Sequence, residues 1–282
     1  MSNGVVFFTR SPQRICVLHL FEKIRVTSGI RYLDELTQGG LIKGTTNLII
    51  GPAGAGKTIF GLHFLSEGAL KNENGLLVAM QEPPWAIRRD ASNFSFFDHN
   101  HYVEPEKIVM LDFTPSGWEL WDPDSLNLTE DTPFVIEAEG VPYDETSLPT
   151  FLHRVFYHIS QVVEEKKIER IVIDPLAAFR FYDYGNDQGF LRKITTGFLA
   201  NIASLNVTTL AISELPSNSG TSIFGEEYIA DSIIHLDMLS VRGEMMRILR
   251  ISKMRGTKHT TKTLTFQITN DGIVFLEADD EE

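Results

Sequence analysis

The stretch Leu48-Ile49-Ile50-Gly51-Pro52-Ala53-Gly54-Ala55-Gly56-Lys57-Thr58-Ile59 decides how this chain is read. An apolar run enters a glycine loop that ends in Lys-Thr, and Ile59, Phe60, Leu62 and Leu65 then recur at helical spacing. That order is strand, phosphate-binding loop, helix. The glycines let successive backbone N–H groups turn inward around phosphates, and a helix opening at Lys57 aims its positive dipole end at them. In loops of this class the lysine reaches the β- and γ-phosphates of a nucleoside triphosphate, and the hydroxyl placed as in Thr58 serves a magnesium ion bridging them. Nucleotide contacts are therefore expected at Gly51, Pro52, Ala53, Gly54, Ala55, Gly56, Lys57, Thr58 and Ile59. A glycine-rich turn ending by accident in Lys-Thr would lack these flanks.

Outward from the loop, the helix is expected to stop near Gly68 and Asn72-Glu73-Asn74-Gly75, with His63 on its surface. Leu76 to Met80 reads as a buried strand, Trp85 to Phe94 as a helix after Pro83-Pro84, and Ile108 to Leu111 as a further strand. Pro115 to Ser147 lacks periodicity and reads as an irregular surface excursion. A long helix is expected over Leu148 to Glu165, then strand Arg170 to Asp174, helix Phe190 to Leu205 and strand Thr208 to Ile212. Such alternation predicts an α/β fold, a mainly parallel twisted sheet with helices on both faces. From Ile233 the runs become strand-like, with turns at Arg242-Gly243-Glu244 and Asn270-Asp271-Gly272, which predicts a C-terminal antiparallel extension. There is no internal repeat and no linker, so one domain is expected over 24–276, between an N-terminal extension (1–23) and a solvated acidic tail (277–282).

Composition narrows the function classes. The chain has 282 residues, 43% of them hydrophobic, and a formal charge of −13. That charge disfavours broad contact with nucleic-acid backbones, which needs clustered lysine and arginine. Cys16 is the only cysteine, so neither an intrachain disulfide nor a cysteine-built metal site is expected, and the reading is cytoplasmic. Arg10 and Arg14 divide the apolar runs near the start, which gives neither a signal peptide nor a membrane span.

The second half of a nucleotide site is sought at other strand ends. Asp174 closes Ile171-Val172-Ile173. Alone it would be a turn former, but with the loop upstream it is a magnesium ligand, expected to act through water. Hydrolysis also needs a group to orient or deprotonate water, sought at the end of the strand beside the loop strand and read as Gln81-Glu82. A carboxylate can take the proton, whereas an amide can only orient the water. Glu82 could instead cap the helix after Pro83-Pro84. Thr58, Asp174 and Glu82 are thus the candidate magnesium residues.

Together with Thr27-Ser28-Gly29-Ile30, Leu33-Asp34-Glu35-Leu36, Gly39-Gly40-Leu41, Gly44 and Lys253-Met254-Arg255-Gly256-Thr257-Lys258-His259, these motifs resemble a KaiC domain of the RecA-like phosphate-loop superfamily over about Ile24 to Leu276. The clock protein of that family carries two such domains in tandem; one is expected here. The resemblance implies an ATPase with ATP and Mg2+ as cofactors, assembled as a ring of six with nucleotide held between neighbours. It implies that Lys253 and Arg255 reach the adjacent subunit's nucleotide as an arginine finger does. Met254, Thr257 and His259 would line that nucleotide, Thr269 and Asn270 would lie near its base or ribose, and Asn93 falls on the base side. Without the resemblance, Lys253 and Arg255 read as a solvated turn at a strand edge. The candidate catalytic set is Lys57, Gln81, Glu82, Lys253 and Arg255.

Four departures bear on activity. The family usually has two glutamates where this chain has Gln81-Glu82, so hydrolysis is expected to be slow or to use Glu82. Glu226-Glu227-Tyr228-Ile229-Ala230-Asp231 replaces the serine and threonine of the autophosphorylating domain, which disfavours an autokinase. A lysine expected after the trans segment is displaced, with Thr261 before Lys262, and the excursion at 115–147 is long. The leading expectation is Mg-dependent ATP hydrolysis in a ring, used for assembly or for binding an unidentified protein partner. The alternative is a nucleotide-gated signalling module with little hydrolysis. A DNA-dependent ATPase ranks last, because Pro216 to Gly225 has no lysine or arginine.

Overall fold

A computed structural model describes residues 23–98, 102–103, 105–114, 148–181, 188–214, 226–241 and 243–276. The 115–147 excursion, the 277–282 tail and nearly all of the 1–23 extension lie outside the described residues. The phosphate-loop strand β3 (Thr46–Gly51) is buried along its whole length, as a strand covered on both faces by helices must be. On one side it pairs in parallel with β7 (Thr208–Glu214), and beyond that come β6 (Ile168–Asp174), β4 (Asn74–Ala79) and β5 (Ile108–Asp112). On the other side lies β8 (Ser232–Val241), parallel to β3, followed by antiparallel β9 (Glu244–Met254), β10 (Leu264–Thr269) and β11 (Gly272–Phe275). A separate two-stranded sheet joins β1 (Arg25–Val26) to β2 (Leu41–Ile42). The parallel core and the antiparallel extension match the expectation.

Side-chain alternation divides the core between the two faces of the sheet. Ile49, Leu77, Val172, Leu210 and Ile212 share a cluster with Phe60 and Phe64 of the loop helix α2 (Lys57–Leu70). The short helices α1 (Arg31–Leu36) and α3 (Pro84–Ala91) add Leu33 and Ile87 to it. Ile50, Val78, Ile171, Ile173 and Ala211 face the other way, onto Leu152 and Val155 of α4 (Leu148–Lys166) and Leu191 and Phe198 of α5 (Gln188–Ser204). Fully buried Phe60 and Phe64 each contribute about 1.5–3 kcal/mol. Arg170 is also buried: it donates to the carbonyls of Thr27 and Phe64 and to Glu73, which ties the N-terminal segment to α2.

Two expectations need correction. β4, which leads to Gln81-Glu82, is not beside the loop strand, because β7 and β6 lie between them. Parallel strands are joined by long crossovers, so nearness in sequence does not set nearness in the sheet. His63 is not a surface residue: it is buried, stacks on Phe96 with ring centres 3.7 Å apart, and accepts a hydrogen bond at Nε2 from the Ile273 N–H. The fold of β11 back onto α2 covers it.

Candidate functional site

A cleft of about 560 Å³ opens at the carboxyl ends of the parallel strands, where ligands sit in open α/β sheets. The loop leaves β3 at Gly51, where β8 passes so close that a Cβ would stand 1.9 Å from the Leu236 carbonyl oxygen. Gly56, with φ +98°, turns the chain into α2. Ala53, Gly54, Gly56, Lys57, Thr58 and Ile59 line the cleft, and Ala55 is buried beneath it. The buried Lys57 ammonium donates to the carbonyls of Gly51 at 2.9 Å and Pro52 at 2.8 Å. Burial lowers its pKa from the ordinary lysine value, and the carboxylates of Glu214 and Asp174 oppose that shift.

Asp174 stands at the end of β6 and accepts a hydrogen bond from Thr58 Oγ1 at 2.7 Å. Burial raises its carboxyl to about 6; Thr58 and Lys57 counter the shift, and Glu82 and Glu214 add to it. A carboxylate beside a hydroxyl and a buried ammonium suits a magnesium-bound polyphosphate. Among the described residues no group of three or more His, Cys, Asp or Glu could hold a metal by itself.

Gln81 and Glu82 both line the cleft, on the segment between β4 and α3. Pro83 precedes α3 and no side chain caps that helix, so the capping role considered for Glu82 is absent. Asn93 is exposed outside the cleft and donates to the Asp90 carbonyl. Thr269 and Asn270 follow Ile268, which lines the same chain's cleft, and the Ser95 N–H donates to the Asn270 carbonyl at 2.8 Å. Within one chain, Thr269 and Asn270 thus adjoin the rim of the cleft, and Asn93 lies two residues from Ser95.

Lys253, Met254, Arg255, Thr257 and His259 lie elsewhere. Ser232 pairs with both Asn47 and Met254, which places that segment at the edge where β3 and β8 begin. Four residues of strand, about 13 Å, separate that edge from the loop. Lys253 donates to the Glu227 carbonyl and Arg255 to the Tyr228 carbonyl, with Asp231 3.5 Å from the guanidinium. Met254 is buried, Thr257 is half-buried, and His259 Nδ1 lies 2.9 Å from the Thr260 carbonyl.

Two charged residues of the cleft escaped the sequence reading. Glu214 ends β7, level with Gly51. Its signal was present, because the run Thr208 to Ile212 continues through Ser213 to the same edge of the sheet. Arg247 of β9 donates through Nε to the Gly54 carbonyl at 3.2 Å. It gets there because β8 and β9 run on past the last β3 pairing, Ile50 with His235, and overhang the loop.

Loop, dipole, buried lysine and threonine–aspartate pair define a phosphate-loop nucleotide-binding protein of RecA-like fold. The family model of the KaiC ATPase matches residues 26–280, and the chain belongs to the KaiC family. It is 30% identical over 250 residues to the circadian clock oscillator protein KaiC of Parathermosynechococcus lividus, covering 87% of this chain but only 41% of that protein. A UPF0273 protein of Pyrococcus horikoshii is 28% identical, with 89% of this chain and 93% of that one covered. The crystal structure of a KaiC-like protein from the same archaeon superposes with a TM-score of 0.71 at 28% identity, covering 90% of this chain and all of that one. No helix among the described residues is long and apolar enough to cross a membrane.

Proposed function

We propose that the protein is a magnesium-dependent ATPase that works as a ring, with residues 24–276 as the working domain and the cytoplasm as its location. The observation that carries this reading is the buried Lys57 ammonium, held on two loop carbonyls beside the Thr58–Asp174 hydrogen bond. A phosphate oxygen is a stronger acceptor for that ammonium than a carbonyl. The loop N–H groups and Lys57 would hold the β- and γ-phosphates, with Arg247 at the Gly54 side of the cleft. Thr58, Asp174 and Glu82 would hold magnesium, which supplies charge neutralisation at the phosphate oxygens.

Ring assembly is supported by the position of Lys253 and Arg255. They stand on the edge opposite the loop, so they would complete the cleft of a neighbour that docks against that edge. Six subunits are the family expectation, and assembly controlled by ATP would regulate binding of a protein partner. The test is phosphate release with Mg·ATP over a range of protein concentrations, with Lys57→Ala as the blank. Turnover per subunit that rises with concentration is the expected result; concentration-independent turnover would remove the shared site.

One observation favours a second reading, a nucleotide-gated module with little turnover: an amide, Gln81, lines the cleft where the family usually has a glutamate. Tight ATP binding with release at the blank level would select it.

A further inference from the structure

Two strands that end at the cleft carry polar side chains on one face of the sheet. On β7, Leu210 and Ile212 pack on the α2 side and Ala211 on the other. Alternation therefore turns Glu214 toward α2, while Ser213 points away and donates to Glu226. On β6, Val172 shares the α2 face, and so does Asp174, whose carboxylate takes the Thr58 hydrogen bond. On β4, Leu77 and Ala79 face α2, and Gln81 and Glu82 follow on the bend beyond the strand, both lining the cleft.

Register fixes how far out the Glu214 side chain stands. Ile173 is opposite Ala211, which puts Asp174 level with Ile212 and leaves Glu214 two residues beyond, about 7 Å further along its strand. Ala79, the last residue of β4, is opposite Asp174. The strands differ in distance from the phosphate loop. Glu214 is on the strand next to β3, opposite Gly51, whereas β4 is three strand spacings from β3, about 14 Å. The strand nearer the phosphates ends in a carboxylate; the farther one leads to Gln81, an amide that cannot take a proton, and then to Glu82.

Resting on the ATPase reading, we propose that Glu214 is the catalytic base of this cleft. Its carboxylate takes a proton from the attacking water as the water oxygen bonds to the γ-phosphorus. The bond from that phosphorus to the β–γ bridging oxygen breaks and ADP leaves. The proton then passes from the carboxyl group to the released phosphate. This gives the chain a base despite Gln81, in a position that the motif pairing does not mark.

The test compares wild type, Glu214→Gln, Glu82→Gln and the Lys57→Ala blank by phosphate release and by binding of a non-hydrolysable ATP analogue with magnesium. Glu214→Gln is expected to lower kcat by about 10²–10³-fold without raising KM. It should also bind the analogue roughly threefold tighter, because one negative charge beside the γ-phosphate is gone. Glu82→Gln should cost about tenfold or less. If wild type hydrolyses ATP and Glu214→Gln stays within about threefold of it, or Glu82→Gln is the more damaging change, the proposal falls and the ATPase reading stands. If wild type releases no more phosphate than the blank, both fall. Should Glu214→Gln not bind the analogue, Glu214→Asp decides: a loss of about tenfold or more at unchanged affinity supports the proposal, and an unchanged rate overturns it.

Discussion

The two edges of the parallel sheet treat their cations differently. At the edge where the strands end, Lys57 is buried, its ammonium held by two carbonyls of its own loop, and the groups around it converge from β3, β4, β6, β7 and β9 of one chain. At the edge where they begin, Lys253 and Arg255 are displayed rather than enclosed, each resting on a carbonyl of the segment before β8. The Arg255–Asp231 pair is a surface contact at 3.5 Å with both side chains substantially solvated, and such pairs are worth about 0–1 kcal/mol. The first edge is organised before ligand arrives. The second can give up its contacts at little cost to meet something outside the chain.

The largest effect should come from the enclosed edge. Lys57→Ala removes a charge on which the phosphates depend for both binding and transition-state stabilisation, so phosphate release should fall by roughly 10⁴-fold, with ATP affinity falling too. Retained ATP binding at wild-type affinity would break the picture of an edge organised around that ammonium.

Next is the displayed edge. Arg255→Ala should lower release by roughly 10³-fold, as loss of a trans cation does, while each subunit still binds ATP through its own loop. The comparison is sharpened by mixing: Lys57→Ala and Arg255→Ala subunits, each inactive alone, should regain release together, because some interfaces pair an intact loop with an intact Arg255. No recovery on mixing would mean that the two edges never meet.

A smaller effect tests what shapes the loop. Gly51→Ala puts a methyl 1.9 Å from the Leu236 carbonyl oxygen, so β3 and β8 must separate where the overhanging hairpin starts. Denaturant unfolding should show a loss of about 2–4 kcal/mol. A neutral substitution would mean that the hairpin is free to move away from the loop.

What the sequence made legible follows from how local each signal is. Strand, loop and helix around Gly51 to Thr58 could be read because each element has its own period and the loop its own residues. The strand order could not: Leu76 to Met80 follows the loop helix in sequence, yet β7 and β6 separate it from β3. Glu214 lies past Ile212, where the apolar run stops, although the ladder continues for two residues. Arg247 shares its face of β9 with buried Leu249 and Ile251, and the overhang of the hairpin carries that face to Gly54. The burial of His63 has no local signal, because its partner, the Ile273 N–H, lies 210 residues away.

His63 also gives the last prediction, in which two buried groups behind the enclosed edge oppose each other as pH changes. Burial lowers His63 to about 4 from an ordinary 6.5, with Glu67 opposing, so between those values the unfolded chain binds the extra proton. Stability from His63 is complete above pH 6.5 and is lost as pH falls toward 4, by up to about 3 kcal/mol. Asp174 has the opposite sign: raised to about 6 from 3.8, it makes the folded chain hold the extra proton, so its contribution declines as pH rises from about 4 to 6. The two contributions oppose each other across that window, so removing either should tilt the thermal midpoint relative to wild type, by about 2 °C per kcal/mol. His63→Gln keeps an acceptor for the Ile273 N–H but cannot titrate, so its midpoint should fall as pH rises from 4 to 6. Asp174→Asn should show the reverse, a midpoint that climbs with pH. Parallel curves for all three proteins would mean that neither group titrates within the fold as its burial requires.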